Sequence, residues 1–201
     1  MTGIINYGAG NIFSVIVSIR NLHEEVMVVS KPEMLRNIDR IILPGVGAFD
    51  HAMKYLKKTG LSEAVKEEIK KGKFLLGICL GLQMFFEHSE EGKLKGLGLI
   101  KGEVRKLPGK ENLPVPHMGW NTVNIIRDSK FLKNLQDNSF FYFAHSFYCV
   151  PEEKSTVVAL TSYGIEFASV VQKDNIIGVQ FHPEKSAKHG LRLLKNFLRM
   201  K

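Results

Sequence analysis

Short apolar runs limit the architecture of this chain more than any other feature. They are GIIN (Gly3–Asn6), VMVV (Val26–Val29), RIIL (Arg40–Leu43) and FLLGI (Phe74–Ile78). Each is too short for a buried helix, and each is apolar at consecutive positions, as a strand covered on both faces must be. Amphipathic stretches separate them. After the first run and the turn YGAGN, residues Ile12, Val15, Ile16, Ile19 and Leu22 recur at helical spacing. Before the fourth run lie Leu56, Leu61, Val65 and Ile69, a helical stretch that Gly60 breaks, with Ser62 the expected N-cap of its second part. Strand and helix in alternation imply a parallel sheet with helices on both faces.

The second half changes character. SFFYFAHSFYCV, STVVALTSY, FASVVQ and NIIGVQF are strand-like, and SAKHGLRLLKNFL closes the chain as a helix with Leu191, Leu194 and Leu198 on one face. Neither a repeat nor a long linker interrupts the 201 residues. The expectation is a single α/β domain over residues 1–201, with a mixed, mostly parallel sheet flanked by helices.

Composition narrows the function classes. No apolar run approaches the roughly 20 residues needed to cross a bilayer, and MTGIINYGAG lacks the basic and apolar regions of a secretory signal. Two cysteines, Cys79 and Cys149, are too few for a disulfide framework. A cytoplasmic protein is expected. Lys plus Arg is 28 against 20 for Asp plus Glu, a net charge of +8. The lysines are interleaved with glutamates, as in EEIKKGK, and no aromatic-basic platform accompanies them. Neither nucleic acid nor membrane is therefore an expected partner.

Three segments carry chemistry. The first is Gly77-Ile-Cys79-Leu-Gly81, where the fourth apolar run gives way to an expected longer helix beginning at Gly81. A nucleophile on such a turn adopts a strained backbone, and glycines on either side keep Cβ atoms away from neighbouring strands and helix. The N–H groups that open the next helix stabilise a thiolate and an oxyanion. Taken alone, the motif also fits a small buried cysteine. The second segment is His182-Pro-Glu184 after the apolar strand NIIGVQF. In an extended backbone positions i and i+2 share a side, so a carboxylate can orient an imidazole there and stabilise its charge. No second His or Cys lies at close ligand spacing from His182, so no metal is expected. The third is Pro44-Gly-Val46-Gly47, a glycine-flanked turn suited to holding an anion. Gly8-Ala-Gly10-Asn-Ile-Phe lacks the third glycine of a dinucleotide fingerprint, so no nucleotide cofactor is expected.

GICLGLQ followed downstream by FHPE resembles the class I, triad-type glutamine amidotransferases. INYGAGN, LPGVGAF, PHMGWN, YFAHSF and QFHPEKS extend the likeness along the chain to the glutaminase subunits that serve imidazole glycerol phosphate synthesis. The resemblance implies the fold of that class (flavodoxin-like) and no cofactor. It implies glutamine as substrate, with Cys79 as nucleophile, His182 as base and Glu184 as its orienting partner. Leu80 and the turn at Val46 and Gly47 would supply oxyanion donors. Gln83, Glu91 and the backbone at Ser146 and Phe147 would hold the glutamine. It further implies a (βα)8-barrel cyclase subunit as heterodimer partner, receiving ammonia through a channel, with Asn11, Trp120, Tyr142 and Lys185 near the interface. By residue type alone Trp120 reads as core and Lys185 as plain surface. Related alternatives are a glutaminase feeding a sugar amidotransferase, a cysteine peptidase or esterase, and a scaffold subunit. The joint presence of Cys79, His182 and Glu184 argues against the last.

Overall fold

The structure, a computed structural model, describes residues 1–8 and 12–200. Its elements in chain order are β1 (Thr2–Ile5), α1 (Ile12–Arg20), β2 (Val26–Val29), β3 (Arg40–Leu43), α2 (Phe49–Lys58), α3 (Leu61–Lys70), β4 (Phe74–Ile78) and α4 (Leu80–Gln83). These are followed by β5 (His88–Ser89), β6 (Gly102–Lys106), β7 (His117–Ile125), β8 (Ser139–His145), β9 (Phe147–Pro151), β10 (Val157–Ser162), β11 (Glu166–Lys173), β12 (Ile176–Val179) and α5 (Ala187–Leu198).

Nine strands form one sheet in the order β2-β1-β3-β4-β12-β11-β10-β7-β8. The block from β2 to β12 is parallel, with Ile78 of β4 opposite Val179 of β12. From β12 outward the pairings are antiparallel. The sheet is therefore mixed, and its parallel block is built by the short apolar runs. Successive side chains of those runs enter opposite layers. Ile5, Ile41, Leu43 and Leu75 pack with residues of α2 and α3 such as Leu56 and Val65. Ile4, Ile42, Leu76 and Ile78 pack with Val15 and Ile19 of α1 and Leu194 and Phe197 of α5. Burial on both faces is what consecutive apolar residues in a strand require.

Several local outcomes differ from the sequence expectation. Gly60, at φ 75°, is itself the N-cap of α3, while Ser62 is buried in its first turn without a capping bond. The helix after Cys79 spans only Leu80–Gln83. The Phe85 amide then donates to Leu82, and the Phe85 carbonyl accepts from Leu99 and Ile100, which turns the chain away. SFFYFAHSFYCV is two strands, not one: β8 lies in the large sheet, and β9 pairs with β6 in a second sheet ordered β5-β6-β9. Finally, β7 was not expected; its exposed face carries Met118 and Trp120, which masks the polar–apolar alternation.

The turn after β4 touches the turn after β3. A Cβ on Gly81 would lie 1.8 Å from the Leu43 carbonyl oxygen, and one on Gly45 would lie 2.4 Å from the Gly81 nitrogen. On Gly178 it would instead meet Leu82 Cδ1 at 2.3 Å, the end of a flexible side chain. Gly81→Ala is therefore expected to destabilise by about 3 kcal/mol, and Gly178→Ala by clearly less, since its neighbour can rotate away. Urea unfolding of the two variants measures the difference.

Candidate active site

Cys79 sits between β4 and α4 with φ 52° and ψ −107°, a backbone conformation that costs about 1–3 kcal/mol for a residue with a Cβ. Its amide donates to the Val179 carbonyl at 2.8 Å, which ties the turn to the end of β12. Gly77 and Gly81 do what their positions imply. A Cβ on Gly77 would come within 2.4 Å of Phe85 Cζ and 2.7 Å of the Leu82 nitrogen. The single turn of α4 leaves the first amides after Cys79 free of helical partners. At four residues, however, α4 carries little macrodipole, so local N–H groups, and not the long helix expected from sequence, supply the field.

His182 follows the end of β12, the strand beside β4. Its amide donates to Tyr142 at 2.9 Å, and its carbonyl accepts from the Ser186 hydroxyl at 2.6 Å; the same hydroxyl oxygen accepts from the Tyr142 amide at 3.0 Å. Pro183–Lys185 is a single 3-10 turn, not the extended tripeptide read from Pro183. The imidazole and carboxylate meet across that turn: His182 Nδ1 donates to Glu184 Oε1 at 2.8 Å, with both side chains almost fully buried. This bond places the other nitrogen, Nε2, as the working one, and Nε2 is buried with no hydrogen-bond partner. Burial pushes the His182 pKa down, but the charge of the Cys79 thiolate and then Glu184 more than offset it, raising it to about 10. With the sulfur ionised, the imidazole beside it is held in its protonated form.

One cavity of about 210 Å³ gathers most of the remaining candidates. Val46, Gly47, Cys79, Leu80, Gln83, Glu91, Ser146 and Phe147 all line it, joined by Pro116, Ala144 and His145. The break between β8 and β9 at Ser146 is what brings backbone polar groups to its wall. Gln83 Nε2 donates to the Phe147 carbonyl at 3.1 Å. Burial pushes the Glu91 pKa up, the Phe49 amide it binds lowers it, and Asp50 adds to the rise. Gly47 has φ 119° in the turn above Cys79. Tyr7, fully buried, donates its hydroxyl to the Pro44 carbonyl at 2.9 Å. Burial and then the Cys79 charge raise the Tyr7 pKa, and a hydrogen bond from the Val46 amide lowers it.

Trp120, Tyr142 and Lys185 form a separate group at the surface, with Trp120 and Lys185 exposed and Tyr142 half-buried. Trp120 is 55% exposed, which corrects its reading as core. It meets Tyr142 edge-on at 6.2 Å between ring centroids, and Lys185 Nζ lies 5.7 Å from the Tyr142 ring. Asn11 lies outside the described residues. Among the described residues no cluster of three or more His, Cys, Asp or Glu could hold a metal, and no helix is long and apolar enough to cross a membrane.

Sequence reasoning passed over three buried polar side chains: Gln180, His117 and His145. His117 Nδ1 and His145 Nε2 are 2.9 Å apart, and His145 Nδ1 lies 2.8 Å from the Phe147 carbonyl. Burial lowers their pKa values to about 4 and about 3, so both are neutral, unlike His182. A buried glutamine in IIGVQF was the available signal, since buried polar groups need partners.

The family model "Glutamine amidotransferase class-I" matches residues 3–200. The imidazole glycerol phosphate synthase subunit HisH of Caldanaerobacter subterraneus subsp. tengcongensis is 47% identical over 198 residues, covering 98% of this chain and 97% of that one. Its counterpart in Helicobacter hepaticus is 47% identical over 210 residues, with 98% and 96% covered. Among solved structures, a crystal structure of glutamine amidotransferase overlays with a TM-score of 0.78 at 18% identity, covering 98% and 96% of the two chains.

The coupling between Cys79 and His182 has a spectroscopic consequence. Between pH 6.5 and about 10 the His182 ring carries a proton that an ordinary histidine would have lost. Removing the thiolate with Cys79→Ala takes away the strongest of the effects that raise this pKa, so the titration midpoint is expected to fall; ¹⁵N NMR of the imidazole reads it directly.

Proposed function

The chain belongs to the class I glutamine amidotransferase family, and from that premise we propose that it is the glutaminase subunit of an imidazole glycerol phosphate synthase. The observation that carries the chemistry is the strained Cys79 at the mouth of the cavity, beside a histidine whose other nitrogen is held by a buried glutamate.

Glutamine enters the cavity with its carboxamide toward Cys79. The sulfur attacks the carboxamide carbon, and the negative charge that develops on the oxygen is met by the Leu80 N–H and a donor from the turn at Val46 and Gly47. His182 takes the thiol proton and gives it to the departing nitrogen, so ammonia leaves and a γ-glutamyl thioester remains. The same imidazole then takes a proton from water, whose oxygen replaces sulfur at the carbonyl carbon, and returns that proton to the departing sulfur, so glutamate is released and the thiol is restored. Glu184 keeps Nε2 directed at these transfers. Gln83 and the backbone at Ser146 and Phe147 position the substrate, and Glu91 faces its α-ammonium group.

Ammonia formed here passes to a (βα)8-barrel cyclase subunit that uses it in histidine biosynthesis. Trp120, Tyr142 and Lys185 present an aromatic and cationic group at the surface suited to that docking, and aromatic anchors carry much of the binding energy at interfaces. The turn at Val46 and Gly47, with Gly47 at φ 119°, reorients in this reading before one of its amides serves the oxyanion. Cyclase with its ligand bound favours the rearranged turn and so couples hydrolysis to use of the ammonia.

The test is glutamate release from glutamine by the chain alone, then with a cyclase subunit and its nucleotide ligand. A rate at least about 100-fold higher in the ligand-bound complex is expected, close to the upper range of allosteric coupling. Cys79→Ala should abolish it. Silence with a properly bound cyclase and ligand would reject the histidine-pathway assignment.

A further inference from the structure

Gln180 directly follows β12 and is fully buried, one position before Phe181 and two before His182. Its side chain lies between two others of the site. Gln83 Nε2 approaches Gln180 Oε1 at 3.3 Å, and Gln180 Nε2 approaches Cys79 Sγ at 3.6 Å. Amide ends look alike, so their assignment has to come from the network around them. Here a backbone carbonyl decides it, because a carbonyl only accepts.

The Phe147 carbonyl has two neighbours, Gln83 at 3.1 Å and His145 Nδ1 at 2.8 Å, and both must donate to it. The end of Gln83 that faces Phe147 is therefore its NH2 group. The second hydrogen of that group points at Gln180, so the Gln180 atom facing it must be the oxygen. That leaves the Gln180 NH2 group directed at the Cys79 sulfur. On the other side of the same carbonyl, His145 carries its proton on Nδ1, so its Nε2 accepts from His117 Nδ1 at 2.9 Å. His117 Nε2 then accepts from Asn121 Nδ2 at 3.3 Å, and Asn121 Nδ2 also donates to Ser162 at 3.0 Å. Both histidines are fixed in one tautomer, and every bond in the series has a defined direction.

We propose that Gln180 is a catalytic residue of this site: its carboxamide donates a hydrogen bond to the Cys79 sulfur in the thiolate form, with its orientation set by the Phe147 carbonyl through Gln83. A hydrogen bond to an ionised acceptor is stronger than one to a neutral group. The donor therefore favours the thiolate over the thiol, for which the Ala144 carbonyl at 3.8 Å is the available acceptor. Gln180 acts beside His182, which supplies the opposite charge. It gives the sulfur a partner that takes no proton and so does not compete with His182 for the transfer. Its catalytic meaning rests on the glutaminase function proposed above, but its effect on the sulfur does not.

The experiment reads the sulfur itself. Alkylation of Cys79 by iodoacetamide is followed against pH, with peptide mass spectrometry separating it from the buried Cys149. The titratable groups that face Cys79 are Tyr7 after β1, Cys149 on β9, His182 after β12 and, on the cavity wall, Glu91 and His145, with Glu184 acting through His182, and the substitutions leave all of them in place. Gln180→Met removes the donor at similar volume, and Gln180→Glu keeps an acceptor for Gln83 while placing a carboxylate oxygen against sulfur. Loss of one charge-assisted bond is expected to raise the alkylation midpoint by about one pH unit and lower alkylation below it about tenfold. Gln180→Glu should move it further in the same direction. Thermal melting identifies which variants fold, and either folded variant decides the matter: an unchanged midpoint overturns the proposal. If the wild-type chain hydrolyses no glutamine even with cyclase and its ligand bound and the midpoint still moves, the glutaminase function fails and the role of Gln180 at the sulfur stands.

Discussion

A left-handed cysteine between β4 and α4 is possible here only because backbone touches backbone around it. Gly45 and Gly81 let the turn after β3 rest on the turn after β4, and Gly77 makes room for the returning α4 and Phe85. Any larger residue at Gly81 would meet the Leu43 carbonyl, with no side chain that could yield. This contact fixes the height of Cys79 above the sheet and brings the Pro44–Gly47 turn to the cavity wall. The strain at Cys79 is held by the two strands on either side, β3 and β12, through steric contact and through the bond to Val179. The position of Cys79, the proposed nucleophile, is thus a property of the parallel block and its apolar layers.

The antiparallel half completes the site from across the cavity. The break at Ser146 sends β8 into the large sheet and β9 into the small one, and the polar backbone freed at that junction faces Cys79. Two kinds of histidine divide the work. His182 holds its proton when an ionised sulfur and a buried glutamate face it; His117 and His145 are neutral because no negative charge offsets their burial. The neutral pair orders the wall, and the charged one is the base of the proposed mechanism. The Phe147 carbonyl joins the two halves, since one series of bonds leads from it to Asn121 and another to the nucleophile.

The parallel block was legible in the sequence because each of its strands is a short, doubly apolar run ended by a turn signal; β2, β3 and β4 begin and end at the expected residues. The elbow and the His182–Glu184 pair were legible for the same reason, as motifs at strand ends. The rest depended on distant contacts. Leu80–Phe86 is apolar enough for a long helix, but Leu99 and Ile100 capture the Phe85 carbonyl and end it after one turn. The division at Ser146 is invisible in a continuous apolar run, because it is imposed by β6 pairing with β9. Trp120 looked like core by residue type, and its exposure comes from lying on the outer face of β7. Gln180, His117 and His145 each have partners far away in sequence, so only the folded chain shows what they are for.

Covalent capture tests the account most directly. Glutamine hydrolysis in the presence of cyclase and its ligand, stopped by acid during turnover and examined by mass spectrometry, should yield a γ-glutamyl group on the peptide containing Cys79 and none on that containing Cys149. The adduct should be absent from Cys79→Ala. Hydrolysis that continues in Cys79→Ala, or an adduct carried by another residue, would contradict the assignment of the strained turn as the nucleophile's seat.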